Sequence, residues 1–266
     1  MRPRTQSSLA ISSDGERWLL LNASPDLRQQ IIASPQLHPR GTGRQSPIAA
    51  VVVTNGDVDH LAGLLTLREQ QEFTLFGTRS TLVEVAHDGL FAVLNKALVH
   101  TKTLALDAAT DTGFGIRVTP FAVPGKVPLY LETAHVEIGT ETESTIGLEV
   151  SDGSKTFFYI PGCAEVTDRL RGRLRGAALL FFDGTTYTDD EMVRLGMSAK
   201  TAWRMGHVAM SGPNGSVRRL ADLDIARKIY VHINNTNPVL IEDSHERKSV
   251  EAAGWDVSFD GMEVKL

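Results

Sequence analysis

The sequence predicts an α/β fold in which two β-sheets pack face to face and helices cover their outer surfaces. Strand-like segments come first, and strands that alternate with helices follow, which is the order expected for such layers. The chain has 266 residues and is 42% hydrophobic, which is enough for one substantial core. Because no linker-like stretch divides it, we expect residues 1–266 to form a single domain.

Alternating apolar and β-branched runs predict the strands, and capping residues before helical spacing predict the helices. Ser24 and Pro25 are typical of a helix start, and Asp260-Gly261 is typical of a turn between two final strands, 255–259 and 262–264. The other strands are expected at residues 6–12, 17–22, 49–53, 73–76, 116–119, 135–138, 146–150, 156–160, 177–182 and 229–231. Helices are expected at residues 24–33, 61–69, 166–174 and 245–253, and after Ser80 and Ser216.

The composition excludes several classes of protein. The net charge is −5, and the sequence shows no clustered basic face of the kind that binds nucleic acid. The short basic run 169–175 is interpreted as the solvated side of a helix. The single cysteine, Cys163, excludes a disulfide framework and indicates a reducing compartment. No apolar run approaches ~18 residues, so we expect a soluble cytoplasmic protein with no membrane partner.

The most informative segment is Asn55-Gly56-Asp57-Val58-Asp59-His60, which directly follows the strand predicted at residues 49–53. It brings two carboxylates and an imidazole, those of Asp57, Asp59 and His60, close together in sequence. Open α/β sheets bind their ligands at the carboxyl ends of their strands. The position of this segment therefore favours chemistry over packing.

Three later strands also end in polar side chains, those of Cys163, Asp183 and His232. If the strands are parallel neighbours, their ends meet at one rim, where carboxylates, imidazoles and a thiol can gather as a metal site requires. Each residue alone has a structural interpretation: an aspartate as a helix cap or turn residue, His232 as a satisfied structural histidine, and Cys163 as a small buried hydrophobe. The coincidence at four successive strand ends favours the metal site.

The loop around His207 has glycines on both sides, which suits a substrate contact or the support of a metal ligand. Segment 55–60 mimics the start of an EF-hand loop, but His60 stands where that loop requires Gly. No Walker A sequence and no G-x-S-x-G elbow is present. The remaining histidines are expected at the surface or in strands: His38, His87, His100, His135 and His245.

Residues 54–60 resemble the H-x-H-x-D-H motif of the metallo-β-lactamase superfamily. Asn55 and Asp57 stand at its first two histidine positions, and Asp59 and His60 match its retained pair. The order of the later residues also fits that superfamily: Cys163, Asp183, His207 and His232. The particular variant resembles the PqqB family of pyrroloquinoline quinone biosynthesis over nearly the whole chain. That likeness rests further on residues 3–8, 22–28, 124–130, 182–185 and 234–238.

This resemblance implies a metallo-β-lactamase-like αββα sandwich with its metal site at one edge of the two sheets. Members of the PqqB family usually begin with a further strand, a Gly-rich turn and a Cys-rich loop that holds a structural zinc. The present sequence starts after those segments. We therefore expect a single metallo-β-lactamase-like domain without them.

The resemblance also implies an activity. The PqqB family is linked to hydroxylation of the tyrosine ring in a Glu–Tyr-derived precursor. Two imidazoles with carboxylates and open positions suit non-heme Fe(II) and dioxygen, and zinc accepts the same ligands. The implied metal ligands are Asp59, His60, Asp183 and His232, with Asp57 beside the metal and His207 at the substrate. The implied partners are a small peptide-derived substrate and other proteins of the pathway, and a homodimer is compatible with the sequence.

Two other functions stay open at this point. A non-catalytic carrier that binds the quinone or its precursor, and aids its transport or release, is favoured by the incomplete set of motif histidines. A metal-dependent hydrolase is opposed by Asn55 and Asp57, which replace two of those histidines. Lys126 has two interpretations as well, a partner for a substrate carboxylate or a solvated loop lysine.

Overall fold

Two β-sheets form the centre of the computed structural model, which describes residues 4–41, 45–133 and 136–266. The first sheet has the order β1-β2-β3-β4-β5. Only β1 runs antiparallel to its neighbour; β2 to β5 are parallel. Its strands are β1 (Leu9–Ile11), β2 (Trp18–Leu21), β3 (Ile48–Val52), β4 (Phe73–Gly77) and β5 (Val99–Thr103).

The second sheet has the order β12-β11-β10-β9-β8-β7-β6 and changes character in its middle. Strands β6 to β9 pair antiparallel, whereas β9 to β12 are parallel. The carboxyl ends of β9, β10 and β11 therefore meet at one edge. The strands are β6 (Thr110–Asp111), β7 (Arg117–Gly125), β8 (Thr140–Ser151), β9 (Thr156–Ile160), β10 (Leu180–Asp183), β11 (Lys228–Val231) and β12 (Trp255–Val257).

Short helices connect the strands. The α-helices are α1 (Leu27–Ala33), α2 (Val58–Leu61), α3 (Arg79–His87), α4 (Asp168–Leu174), α5 (Glu191–Arg194), α6 (Ala202–Met205), α7 (Ser216–Arg219) and α8 (His245–Ala252). Single 3₁₀ segments lie at Pro35–Leu37, Ala62–Leu67, Gly89–Val93, Leu129–Leu131 and Pro238–Leu240. In the described ranges, none of the helices has the length and apolar character needed to span a bilayer.

Three apolar cores hold these layers together, and β2 shows how. Leu19 and Leu21 pack in the core between the two sheets, while Leu20 faces the opposite way into a core beneath α1 and α3. A strand that is buried on both faces reads as a continuous apolar run rather than an alternating one. A third core lies between the second sheet and α4 and α8, where Leu170 and Val250 are buried.

This order of layers is the αββα sandwich that the sequence predicted. Most predicted strands lie within two or three residues of the observed ones. One difference concerns β3, which belongs to the other sheet from β9, β10 and β11. Its end reaches the common edge because the two sheets pack together, and not because the strands are neighbours.

Several predicted elements are wrong in detail. Helix α1 begins at Leu27 after Asp26, and not at Ser24, whose carbonyl accepts a hydrogen bond from the amide of Leu27. Ser216 is the first residue of α7 and not its cap, and its hydroxyl lies 2.8 Å from that of Tyr230. The region predicted as the helix 61–69 is α2 followed by a 3₁₀ segment.

The final hairpin and one internal strand are also wrong. Strand β12 pairs in parallel with β11, and residues 262–264 form no strand. Of the strand predicted at residues 135–138, His135 lies outside the described residues, and 136–138 are irregular. Strand β5 was not predicted, because its residues are mostly exposed and offer no apolar run.

A close approach at Gly63 positions α2. The amide of Ala23 donates to the carbonyl of His60 at 2.8 Å, and the amide of Gly63 donates back to the carbonyl of Ala23 at 2.9 Å. A Cβ on Gly63 would lie 2.3 Å from the carbonyl oxygen of Ser24, which is backbone and has little freedom to move. Only glycine therefore lets the helix approach the end of β2 so closely.

Replacement of Gly63 by alanine should destabilise the fold. The overlap with backbone must be relieved by movement of the helix, and such overpacking costs about 1–3 kcal/mol. Gly172→Ala is the matched control, because Gly172 lies inside α4 with nothing within 4 Å of the added Cβ. That variant should gain about 0.5–1 kcal/mol from helix propensity. Equilibrium urea unfolding measures both, and equal effects of the two substitutions would contradict this role of Gly63.

Candidate metal centre

The end of β3 carries the first part of the site. After β3 the chain makes a bridge between Asn55 and Thr145 of the second sheet, and α2 then begins at Val58. Asp59 and His60 thus lie on the first turn of a short helix at the edge where the two sheets meet. The His60 side chain is buried, whereas that of Asp59 is 40% exposed.

Asp59, His60 and His232 form a first cluster of potential metal ligands. One ligand atom of each lies within 4.8 Å of the others. Nε2 of His232 lies 2.9 Å from Oδ2 of Asp59, and Nε2 of His60 lies 4.0 Å from the same oxygen. The two imidazole rings meet edge to face, with their centroids 5.0 Å apart.

His232 adopts an uncommon backbone conformation directly after β11. Its φ angle is +54°, in the left-handed region that residues other than glycine seldom occupy. Such a conformation costs of order 1–3 kcal/mol and persists where the surrounding structure enforces it. Here it accompanies an imidazole whose two nitrogens both have polar neighbours, Asp59 on one side and Thr185 on the other.

Asp183, His207 and His232 form a second cluster that shares His232 with the first. Nδ1 of His207 lies 2.8 Å from Oδ2 of Asp183, which is fully buried at the end of β10. Because a carboxylate only accepts, we assign the proton of His207 to Nδ1. The His207 and His232 rings stack with their centroids 5.1 Å apart.

The carboxylate of Asp183 is already fully hydrogen-bonded. Its Oδ1 accepts from the amide of Thr185 at 3.0 Å and from the Thr185 hydroxyl at 2.7 Å. Its Oδ2 accepts from the amide of Cys163 at 3.0 Å as well as from His207. Four donors match the four lone-pair positions of a carboxylate. In this arrangement Asp183 holds its neighbours in place, while Asp59 keeps an exposed side.

Two threonine hydroxyls contact the Nδ1 atoms of the first cluster's histidines. The Thr54 hydroxyl lies 3.4 Å from Nδ1 of His60, and the Thr185 hydroxyl lies 2.9 Å from Nδ1 of His232. The side chain of Asn22 holds Thr54 in turn. Metal-binding histidines commonly use their second nitrogen in this way, which fixes the ring orientation. Both Nε2 atoms then point toward Asp59.

The protonation of His60 and Asp59 suits a cation. Burial lowers the pKa of His60 to about 4, although the charge of Asp59 opposes the shift. Burial would raise the pKa of Asp59, but the charges of His60 and His232 outweigh it and hold that pKa well below its usual range. A neutral His60 beside an ionised Asp59 is the state in which both bind metals. For His232 burial would lower the pKa, but the hydrogen bond and charge of Asp59 outweigh it and raise that pKa, so His232 must release a proton when it binds a metal.

Nε2 of His60 supplies the clearest sign of a missing partner. It is buried and has no hydrogen-bond partner among the described residues. A buried polar nitrogen without a partner costs free energy, so it calls for an explanation. A metal ion bound between Asp59, His60 and His232 would use this lone pair, and the donor set therefore fits such an ion.

The other residues predicted for the site lie nearby or elsewhere. Asp57 precedes α2, and its Oδ1 accepts a hydrogen bond from the amide of Leu129 at 3.2 Å. Cys163 joins neither cluster; its thiol donates to the carbonyl of Glu165, and burial raises its pKa. Lys126 is no solvated lysine, because its side chain is only 9% exposed and pairs with Glu132. The four other histidines in the described ranges are exposed, as predicted: His38, His87, His100 and His245.

Sequence reasoning missed the two threonines. Thr185 contacts Asp183, His207 and His232, and Thr54 contacts His60. A threonine after a strand carries no chemical signature of its own. Its position two residues beyond a predicted ligand, as in Asp183-Gly184-Thr185, is the one signal that the sequence offered.

Comparison with known proteins places this geometry in a family. The family model of the beta-lactamase superfamily domain matches residues 17–233. Coenzyme PQQ synthesis protein B of Methylorubrum extorquens is 58% identical over 266 residues, which is all of this chain and 89% of that protein. The protein of the same name from Xanthomonas oryzae pv. oryzae is 49% identical and matches 99% of this chain and 88% of its own length.

Solved structures agree. The crystal structure of Zn²⁺-bound PqqB from Methylobacterium extorquens has a TM-score of 0.97 and 58% identity, and the match covers 100% of this chain and 89% of that one. A diphosphatase of the PhnP family, at a TM-score of 0.66 and 19% identity, shares the fold, with 98% of this chain and 84% of that one covered. The chain therefore belongs to the coenzyme PQQ synthesis protein B family within the beta-lactamase superfamily.

Proposed function

We propose that the chain is an oxygenase of pyrroloquinoline quinone biosynthesis, which uses Fe(II) and dioxygen to hydroxylate the tyrosine ring of a Glu–Tyr-derived precursor. The names of relatives at 49–58% identity support the pathway. The cluster of Asp59, His60 and His232, with its unpartnered buried nitrogen, is the observation that carries the metal.

The ligand set favours iron. Two histidines and one carboxylate with open positions are typical of non-heme Fe(II) oxygenases. Zinc also binds such residues, and a relative was crystallised with Zn²⁺. Bound Fe(II) supplies the one-electron chemistry by which dioxygen is activated. The sequence-based assignment of Asp183 as a fourth ligand stays a prediction, and it requires Asp183 to give up one of its present hydrogen bonds.

The surrounding residues have separate roles in this proposal. Asp183 accepts a hydrogen bond from Nδ1–H of His207 and so keeps the proton on that nitrogen. Nε2 of His207 is then free to accept the phenol proton of the substrate. Asp57 directly precedes α2, where its Oδ1 is held by the amide of Leu129, and in this proposal it is the acceptor for a water bound beside the metal. One oxygen atom of dioxygen enters the ring and the other leaves as water, which consumes two protons from solvent and two electrons from an external reductant such as ascorbate.

His60→Ala should abolish both iron binding and ring hydroxylation, because it removes the ligand nitrogen of this cluster that is buried and has no hydrogen-bond partner among the described residues. The protein is purified anaerobically, its iron is measured by elemental analysis, and it is mixed with Glu–Tyr dipeptide, ascorbate and dioxygen. Mass spectrometry then detects the gain of one oxygen atom by the wild-type reaction.

His87→Ala is the matched control for that experiment. His87 is exposed at the end of α3, so its loss should change neither the iron content nor the turnover. Undiminished hydroxylation by the His60→Ala protein would rule out the proposed metal site.

A second prediction concerns the hydroxyl of Thr185. Thr185→Val keeps the side-chain shape but removes the contacts to Asp183, His207 and His232. Loss of such outer contacts typically weakens metal binding by about 10–100-fold. Competition with a chelator of known affinity measures the change.

The adjacent residue Thr186 provides the control. It is also buried, but its hydroxyl has no hydrogen-bond partner among the described residues. Thr186→Val should therefore leave metal affinity unchanged and be neutral or favourable for stability. Equal metal affinities of the two variants would show that Thr185 does not support the ligands.

A non-catalytic carrier is the second candidate. It is favoured by Asn55 and Asp57, whose polar atoms engage neighbouring backbone amides instead of converging on a cation. The same mixture distinguishes the two functions. A carrier binds the quinone or its precursor without any gain of oxygen by the dipeptide, whatever metal is present.

A further inference from the structure

A group of three cations lies next to the backbone that leads into His207. Nζ of Lys126 lies 3.2 Å from Oε1 of Glu132, while Nζ of Lys200 and Nη2 of Arg204 lie 2.9 Å and 3.2 Å from Oε2 of the same carboxylate. We call Lys126, Lys200 and Arg204 the cation triad. A single glutamate thus faces three positive charges.

The triad is sheltered and only partly neutralised. The side chains of Lys126 and Glu132 are each 9% exposed, and those of Lys200 and Arg204 are about one-third exposed. Nη1 of Arg204 is buried and has no hydrogen-bond partner among the described residues. Keeping cations away from water is costly unless anions compensate them. Among the described residues a single carboxylate pairs with the three cations, which leaves the triad able to accept further negative charge.

The position of the triad connects it to the proposed active site. Arg204 lies in α6, whose last residue Met205 is followed by the cap residue Gly206 and then by His207. A Cβ on Gly206 would lie 3.2 Å from Cγ of Lys126, so the lysine packs against the backbone that leads into His207. At its other end the segment that carries Glu132 is held by the hydrogen bond from Leu129 to Asp57.

We propose that the cation triad is the carboxylate-binding subsite of the active site, and that Glu132 fills it until a carboxylate of the ligand takes its place. Glu132 shows that the triad accommodates a glutamate side chain. Lysine and arginine provide charge-assisted hydrogen bonds to such a group, and these are stronger than neutral ones. The subsite would hold the ligand by its carboxylate while its ring lies near His207.

This inference rests on the proposed function for its ligand. Both a Glu–Tyr-derived precursor and the finished quinone carry carboxylates, so the shared chemistry is an aromatic compound with a carboxylate. Binding is measured by calorimetry on Zn²⁺-loaded protein, in which no oxygenation occurs. The ligands are Glu–Tyr, two analogues that each lack one of its two carboxylates (Gln–Tyr and Glu–tyrosinamide), and pyrroloquinoline quinone.

Arg204→Gln should weaken the binding of Glu–Tyr by about tenfold, the loss expected for one charge-assisted hydrogen bond. The analogue that lacks the carboxylate bound by the triad should bind the wild type as weakly as Glu–Tyr binds Arg204→Gln. Its affinity should fall no further in Arg204→Gln. Arg227→Gln is the control, because Arg227 pairs with Asp256 at 2.9 Å outside the triad and should leave all affinities unchanged.

Glu132→Gln gives a result of opposite sign. Removal of the Glu132 charge should tighten the binding of Glu–Tyr. The binding of the analogue that lacks the carboxylate held by the triad should stay unchanged. Circular dichroism melting confirms that each variant is folded, and Glu132→Gln decides the question if Arg204→Gln does not fold.

The inference is overturned if the wild type binds neither Glu–Tyr nor the quinone. It is also overturned if folded Arg204→Gln binds every ligand as the wild type does, or if Glu132→Gln weakens the binding of Glu–Tyr and of both analogues to the same extent. Dependence of quinone binding alone on Arg204 would keep the subsite and favour the carrier. Intact carboxylate dependence without hydroxylation would contradict the proposed function and leave the subsite standing.

Discussion

The site depends on the contact between Asp59 and His232, which links the loops of the two sheets. The two residues follow β3 and β11, which belong to different sheets, and their side chains meet at 2.9 Å. The core between the sheets sets that separation, because residues such as Val52 and Val231 pack in it directly before the two loops. A charge-assisted hydrogen bond in a partly buried place is strong, but it forms only where the packing has already brought its partners together. The fold therefore supplies the geometry, and the loops supply the chemistry.

The layers of the fold were predictable because burial leaves a pattern in the sequence. The runs at β3, β9 and β11 are apolar on both faces, as expected for strands between a second sheet and a layer of helices. The pairing partner of each strand was harder to predict from the sequence. The residues of β12 alternate as those of a hairpin strand do, yet β12 pairs in parallel with β11. The free edge of β11 exists only once the second sheet has formed, so the sequence does not reveal this pairing. Strand β5 is exposed along most of its length and carries no such pattern.

The candidate site was predictable as a set of strand ends, but its internal order was not. The sequence indicated that Asp59, His60, Asp183 and His232 lie close together. It gave no sign that His232 stands between two clusters, since that depends on a left-handed backbone at His232 and on the hydroxyl of Thr185. Nor did it show that Lys126 is enclosed with Glu132, because segment 124–132 contains two prolines and a glycine and is typical of a loop.

The location of the metal tests the central claim most directly. Crystals of anaerobically purified, Fe(II)-loaded protein can be measured at wavelengths on both sides of the iron absorption edge. The account predicts one anomalous difference peak within coordination distance of Asp59, His60 and His232. A peak confined to Asp183 and His207, away from His60, or no iron peak at this edge of the sheets, would contradict it.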